Sequence, residues 1–366
     1  MGRFKALESR SFQPNWEGLI DTIFRRGTPD RVHHIELFQD QEIRDAIADR
    51  YGLTSCLSLD APDFERRKYL AVQRFCGFDY VRVGLVDMEW PLFGQTAADT
   101  ADLAHEGGRR YQDEHIGPIT NWEEFEKYPW PDPTRTSVTR ELEWYEKNLP
   151  DDMCVIGSGG FAHFSEHLTW LMGYETLCFS LYDQRDLVGA IAERLKEIYK
   201  LGARLMVQFD RVKLLWGADD MGYKTGLLIS PDDMRRFVLP GHKLMAEISH
   251  AAGRPYLLHS CGRLTDIMDD LIDDVKIDAK HSFEDTIEDV RRVKHTYGKR
   301  IALLGGIDVD FLCRSNETAI RRRVRDTLDI CHPSGGYCLG TGNSVANYIP
   351  LDNYLSMVDE GMKYDG

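Results

Sequence analysis

In the stretch Tyr256-Leu257-Leu258-His259-Ser260-Cys261-Gly262, residues Tyr256–Cys261 read as a short buried strand whose last residues turn polar and metal-capable. The same arrangement recurs on either side of it. Aliphatic and β-branched runs at Val212–Ala218 and Asp278–Phe283 are separated from it by longer helical patterns, the signature of βα units around a parallel sheet. Extending the reading to both ends adds Val32–Phe38, Tyr80–Val86, Cys154–Ser158, Ile301–Ile307 and Gly336–Gly340, eight strands in all. A closing helix over Pro350–Lys363, with proline near its start, follows the last of them. Eight strands alternating with helices predict an α/β protein of the (β/α)8 TIM-barrel type. No Gly-x-Gly-x-x-Gly follows the first strand to favour an open dinucleotide-binding sheet.

The 366 residues suit one elaborated barrel domain, long enough to bury its own core. Residues 1–15 read as an N-terminal extension that wraps the barrel bottom. The mixed stretch 90–132, with Gly94, Gly107, Gly108, Pro118, Pro129 and Pro131, reads as an insertion after the second strand and as a lid. A net charge of −15 argues against a nucleic-acid surface, since phosphate binding draws on clustered Lys and Arg. The densest basic run, Arg321 to Arg325, reads as the exposed face of a late helix. Met1 to Pro14 lacks an apolar signal stretch, and no apolar run spans a bilayer, so the expectation is a cytoplasmic protein with no membrane partner. Eight scattered cysteines read as core thiols or metal ligands rather than as a disulfide framework.

In an α/β barrel the chemistry sits where strands end at their C-terminal side. Those positions hold Asp87 and Glu89, then His163, Glu166 and His167, then Asp219 and Asp220. Further on come His259, Cys261 and Arg263, His281 and Glu284, Asp308, and finally Cys338 with the loop Thr341-Gly342-Asn343. Residues two apart on a strand share a side, so His259 and Cys261 can converge, and imidazole nitrogen with thiolate sulfur suits Zn2+. The plainer reading makes Cys261 a buried thiol and His259 a hydrogen-bonded barrel histidine. Asp219 and Asp220 offer an acid/base pair, although adjacent strand-end residues point apart. His163 and His167 share a helix face, which serves packing or capping as well as binding. Asp308 precedes a helix as a cap. Gly340-Thr341-Gly342-Asn343 can cradle an anion on its N–H groups or simply turn the chain.

Beyond these residues the chain resembles the uroporphyrinogen-decarboxylase superfamily. The resemblance is carried by Gly27-Thr28-Pro29-Asp30-Arg31-Val32, Asp79-Tyr80 through Asp87, Gly217-Ala218-Asp219-Asp220-Met221-Gly222 and Ile229-Ser230-Pro231-Asp232. It continues in His259-Ser260-Cys261-Gly262, Leu304-Gly305-Gly306-Ile307-Asp308 and Gly335 through Gly342. That superfamily holds the haem-pathway decarboxylase and the zinc-dependent methyltransferases of corrinoid systems. The decarboxylases have an Arg-rich loop after the first strand, where this chain has Ile35-Glu36-Leu37-Phe38-Gln39-Asp40, and a His in the eighth unit, where it has Thr341. An acidic loop there would repel a polyanionic substrate. Asp87 matches their catalytic aspartate. The methyltransferase branch is similar in His-x-Cys, which implies His259 and Cys261 as zinc ligands with Cys338 as the third, or Asp219, Asp220 or His281 in its place. The resemblance then implies a zinc-dependent methyltransferase or demethylase acting on a small methylated substrate or thiol, with a corrinoid on a partner protein and a second copy of the chain as a candidate partner. Asp87, Asp219 and Asp220 would be catalytic; His163, His167, His281, Thr341 and Asn343 would contact substrate. The alternatives are a uroporphyrinogen-type decarboxylase and a non-catalytic member that binds a tetrapyrrole or a corrinoid protein.

Overall fold

The computed structural model describes residues 3–9, 11–113 and 115–364. Among them, one curled parallel sheet holds seven strands: β1 (Tyr80–Val83), β2 (Cys154–Gly157), β3 (Val212–Ala218), β4 (Tyr256–His259), β5 (Ala279–His281), β6 (Ala302–Leu304) and β7 (Tyr337–Cys338). Each strand pairs in parallel with the next one in sequence. Helices used below are α1 (Gln41–Tyr51), α2 (Phe64–Phe75), α3 (Arg140–Asn148), α4 (Phe164–Met172), α5 (Arg185–Met206), α6 (Leu239–Ala251), α7 (Val290–Tyr297), α8 (Glu317–Cys331) and α9 (Leu351–Met362). The layer logic is clearest in α5, where Leu187, Val188, Ile191, Leu195, Ile198 and Ala203 recur at helical spacing and are all buried. The strands run apolar on both faces, as parallel strands covered by helices must.

The expected first strand, Val32–Phe38, is not a ladder strand. It lies beside the last strand through one parallel bridge, His34 with Leu339, in which Ile35 N–H donates to Leu339 O (2.8 Å) and Leu339 N–H to His33 O (2.8 Å). Towards β1 the Tyr80 hydroxyl replaces the ladder, accepting from Glu36 N–H (2.8 Å) and donating to Glu36 O (3.1 Å). The sheet is thus TIM-barrel-like, with seven laddered strands and a bridged eighth segment. The other expected strands are present but mostly shorter at their C-terminal ends. The missing residues are the ones that turn into the rim loops.

Residues 5–9 form a short helix against α9, where the N–H groups of Ala6 and Leu7 reach the Asp359 carboxylate (2.8 and 3.4 Å). The stretch 90–132 contains an antiparallel hairpin, Gly94–Ala97 with Arg109–Gln112, and a helix over Trp122–Lys127. The basic run on α8 is less exposed than its sequence suggested. Arg321 bonds Asp359 (2.7 Å) and Glu360 (2.9 Å), and Arg325 pairs with Glu360 (2.7 Å), so the run clamps α8 to α9. All eight cysteines are free thiols. Among the described residues, no helix is long and apolar enough to cross a membrane.

Candidate metal centre and its cavity

Strands β3 and β4 end side by side, with Ala218 opposite His259. The turns beyond them are tied together: Asp219 N–H donates to His259 O (2.9 Å), and Cys261 N–H to Asp220 Oδ1 (2.9 Å). Gly262 has φ 80°, and a Cβ there would meet the Gly222 backbone at 2.1 Å, so the close approach of these two loops requires glycine. The result is a cluster in which ligand atoms of Asp220, His259 and Cys261 all lie within 4.8 Å of one another. His259 Nε2 is 3.5 Å from Cys261 Sγ and 3.5 Å from Asp220 Oδ1.

A chain of hydrogen bonds fixes which nitrogen of His259 faces that cluster. The Thr341 carbonyl can only accept, so His281 Nε2, 3.2 Å away, must carry a proton. In a neutral ring His281 Nδ1 is then an acceptor, and His259 Nδ1, at 2.7 Å, must be the donor. That leaves a bare lone pair on His259 Nε2, directed at Cys261 and Asp220. Burial pushes both imidazoles towards the neutral form: His281 lies well below the ordinary histidine range, and His259 is lowered despite the neighbouring Asp220. Burial opposes ionisation of Asp220, whereas the Cys261 N–H that its Oδ1 accepts favours the carboxylate. Burial first, and the Asp220 charge second, push the Cys261 thiol up. Without a cation it keeps its proton.

Loop 341–343 closes one side. Asn343 Oδ1 accepts from Ser344 N–H (2.8 Å), which turns its Nδ2 towards Cys261 Sγ at 3.2 Å. Thr341 is held from behind by Glu36, through its N–H (3.0 Å) and its hydroxyl (2.5 Å). The same hydroxyl lies 2.7 Å from Asn343 O. One hydroxyl proton cannot serve two acceptors, so Glu36 is the protonated partner, in line with burial lifting its carboxyl to about 8. Glu36 is therefore a neutral acid behind the loop, and the repulsive acidic face expected of residues 35–40 is not its role.

The cluster opens into a cavity of about 950 Å3 whose lining includes His163, Glu166, Asp220, His259, Cys261 and Asn343. His163 Nδ1 bonds the Glu166 carboxylate; burial raises Glu166 to about 7, and Glu166 in turn raises His163 against the effect of burial. The remaining expected residues lie elsewhere. Asp219 is fully buried, accepting from Ser165 N–H and Glu166 N–H (both 2.9 Å) at the start of α4 and from His242 (2.8 Å), so it anchors a helix. His167 is buried between Tyr199 and Trp90, whose ring centroid is 4.0 Å away. His281 and Thr341 stand behind the ligands rather than in the cavity. Asp87 pairs with Arg140 of α3 and does not line the cavity. Asp308 caps a helix through Phe311 N–H (2.8 Å).

Cys338, expected as the third ligand, does not join the cluster. It sits in β7 opposite Leu304 and is fully buried, three residues before Thr341. At about 3.3 Å per residue, that places it roughly 10 Å below the rim. Its charged neighbours are Asp79, Arg31 and Lys294, none of which belongs to the cluster. Asp220 supplies the third donor instead.

Sequence reasoning missed the cations of the cavity lining: Arg44, Arg66, Lys68 and Arg82, contributed by α1, α2 and β1. Their separation in sequence hid the grouping. One signal was available, because Arg82 interrupts a strand otherwise made of Tyr80, Val81 and Val83, all buried.

A family model described as uroporphyrinogen decarboxylase (URO-D) matches residues 117–364. Among solved structures, a methyltransferase from Methanosarcina mazei aligns with 96% of this chain and 98% of its own at 18% identity, with a TM-score of 0.68. A candidate vitamin-B12 independent methionine synthase from Listeria monocytogenes aligns with 91% and 94% at 14% identity, with a TM-score of 0.47. The first likeness establishes the fold, and the second carries no argument. A comparison with curated proteins gave no match.

Proposed function

The chain belongs to the uroporphyrinogen decarboxylase family, and we propose that within it the protein is a zinc-dependent enzyme that moves a methyl group between a small methylated substrate or thiol and a corrinoid on a partner protein. The observation that carries this reading is the set of three converging donors, with the His259 lone pair freed by His281. Nitrogen, sulfur and carboxylate oxygen around one point fit zinc, and because all three residues line the cavity, a substrate atom would be able to join them. Zinc held there would supply a Lewis acid towards the heteroatom of the substrate.

The chain's own groups do the rest. His281 and Thr341 hold the His259 ring, and Asn343 steadies the Cys261 sulfur by donating to it. His163 and Glu166, on the lining beside Asp220, are the pair able to hold or release a proton at the substrate. Decarboxylation is less well supported, because Asp87, the aspartate it would need, is engaged by Arg140 and is not part of the cavity lining.

Zinc content decides. Protein purified without chelators, or reconstituted and desalted, is expected to hold close to one zinc per chain, and Cys261→Ala to lose most of it. Wild-type protein that retains no zinc, or a Cys261→Ala variant that retains as much as wild type, overturns the reading.

A further inference from the structure

The second group of cavity-lining side chains is cationic, and its members are not equivalent. Arg66 is bidentate to Glu141 (2.9 and 2.6 Å), and Lys68 bonds Asp45 (2.7 Å) and Glu65 (2.8 Å). These two are neutralised within the protein. Arg44 and Arg82 form no ion pair among the described residues. The Arg44 guanidinium lies over the Tyr69 ring at 5.1 Å, and that of Arg82 over the Trp216 indole at 5.1 Å. Tyr69 joins them, since its hydroxyl accepts from the Arg82 backbone N–H (3.2 Å).

Arg82 carries the argument. Its side chain makes one hydrogen bond, to Ser158 Oγ, and its buried Nε has no acceptor. A guanidinium has five N–H donors in a planar fork, and leaving a largely buried one without a carboxylate costs several kcal/mol. In a chain with 60 acidic and 45 basic residues, carboxylates are plentiful, and Asp45, Glu65 and Glu141 line this same cavity, yet among the described residues none pairs with Arg82. Packing alone does not account for an unmatched fork that faces a cavity. A bidentate oxyanion does, because it satisfies two donors and the charge together. Phe38, Tyr69 and Tyr145 line the same cavity and offer apolar surface to the body of a ligand.

We propose that the substrate is an organic carboxylate, with its carboxylate held by Arg82 and Arg44 and its methylated end reaching Asp220, His259 and Cys261. The carboxylate site stands on geometry of its own, whereas the identity of the other end rests on the methyl-transfer reading above.

Three carboxylates ending in a methylated heteroatom, 4-methoxybenzoate, N,N-dimethylglycine and 3-(methylthio)propanoate, are to be titrated into the zinc-reconstituted protein beside their primary amides. At least one acid is expected to bind roughly 10- to 100-fold more tightly than its amide, the worth of a charge-assisted hydrogen-bond pair. Arg82→Met is expected to erase that preference, and Arg44→Met, on an outer helix, to reduce it. No acid outperforming its amide, or a preference that survives Arg82→Met, overturns the proposal. Tighter Arg82-dependent binding of 4-methoxybenzenesulfonate than of 4-methoxybenzoate overturns the carboxylate assignment in favour of another oxyanion. Zinc content is read on the same samples. An Arg82-dependent preference in protein that holds no zinc sinks the methyl-transfer reading and leaves this one standing, and full zinc without any preference does the reverse.

Discussion

Two parts of one cavity lining were assembled in opposite ways. Around Asp220, His259 and Cys261 each donor is aimed by backbone or by a second side chain: Cys261 N–H fixes Asp220, His281 fixes His259, and Asn343 fixes the sulfur. Around Arg44 and Arg82 the side chains rest on aromatic rings and lack charged partners. The first part is prepared for a ligand that tolerates little error in geometry, as a metal ion does. The second suits a ligand that arrives with its own charge. The difference predicts that the two can be broken independently.

The largest expected effect is therefore separable loss. His259→Ala should abolish zinc retention, measured by mass spectrometry of the desalted protein, while Arg82→Met leaves it at the wild-type level. A shared loss in both variants would show that the two parts are one folding unit and not two ligand sites. A smaller effect is expected from His281→Phe, which keeps all three donors but removes the acceptor that holds the His259 Nδ1 proton. Zinc affinity by chelator competition should fall about 10- to 100-fold, the usual cost of losing such a partner. An unchanged affinity would mean that the His259 tautomer is set by something other than His281.

The same contrast governs how much was legible in the sequence. His259 and Cys261 could be paired because strand parity is a local rule, and both sit two residues apart at the end of one aliphatic run. Asp220 was named, but choosing it over Asp219 required the fold: Asp219 turns inward to the N-terminus of α4, and Asp220 outward to Cys261 N–H. The seven laddered strands were readable from their apolar runs, whereas the 32–38 segment lost its regular ladder to the Tyr80 hydroxyl, a side-chain bond that no periodicity announces. Arg44 and Arg82 come together only in three dimensions. Glu36 was read as part of an acidic loop that would repel a polyanionic substrate, because nothing local marks a buried carboxyl, and only the two contacts with Thr341 reveal it.

Glu36 also offers a test of the support behind the metal part. Its carboxyl, near 4.5 in an unfolded chain, is lifted to about 8 in the fold. Between those values the unfolded chain releases a proton that the folded one keeps, so stability falls as pH rises through this window. The slope is about 1.4 kcal/mol per pH unit for one proton. Glu36→Gln preserves a hydrogen-bonding group without the ionisation, and chemical denaturation at several pH values should show this component of the decline removed. Parallel pH profiles for variant and wild type would mean that Glu36 is ionised in the fold and that Thr341 keeps its own proton for it.

The smallest expected effect is the most pointed. Cys338 has the chemistry of a zinc ligand and a place in the eighth unit, but its strand ends three residues too early to bring it to the rim. Its burial raises the thiol and leaves no cation path to it from the cavity lining, which does not include it. Cys338→Ala should therefore retain wild-type zinc and lose only about 1 kcal/mol of stability from the small void left in the core. Asp220→Ala, which removes the donor that stands at the corresponding point of the cluster, should lower zinc affinity in the same assay. Should the ranking come out reversed, with Cys338 needed and Asp220 dispensable, the loop after β7 must rearrange on metal binding. The register of Leu304 with Cys338 would then be the feature to re-examine by solving the zinc-bound protein.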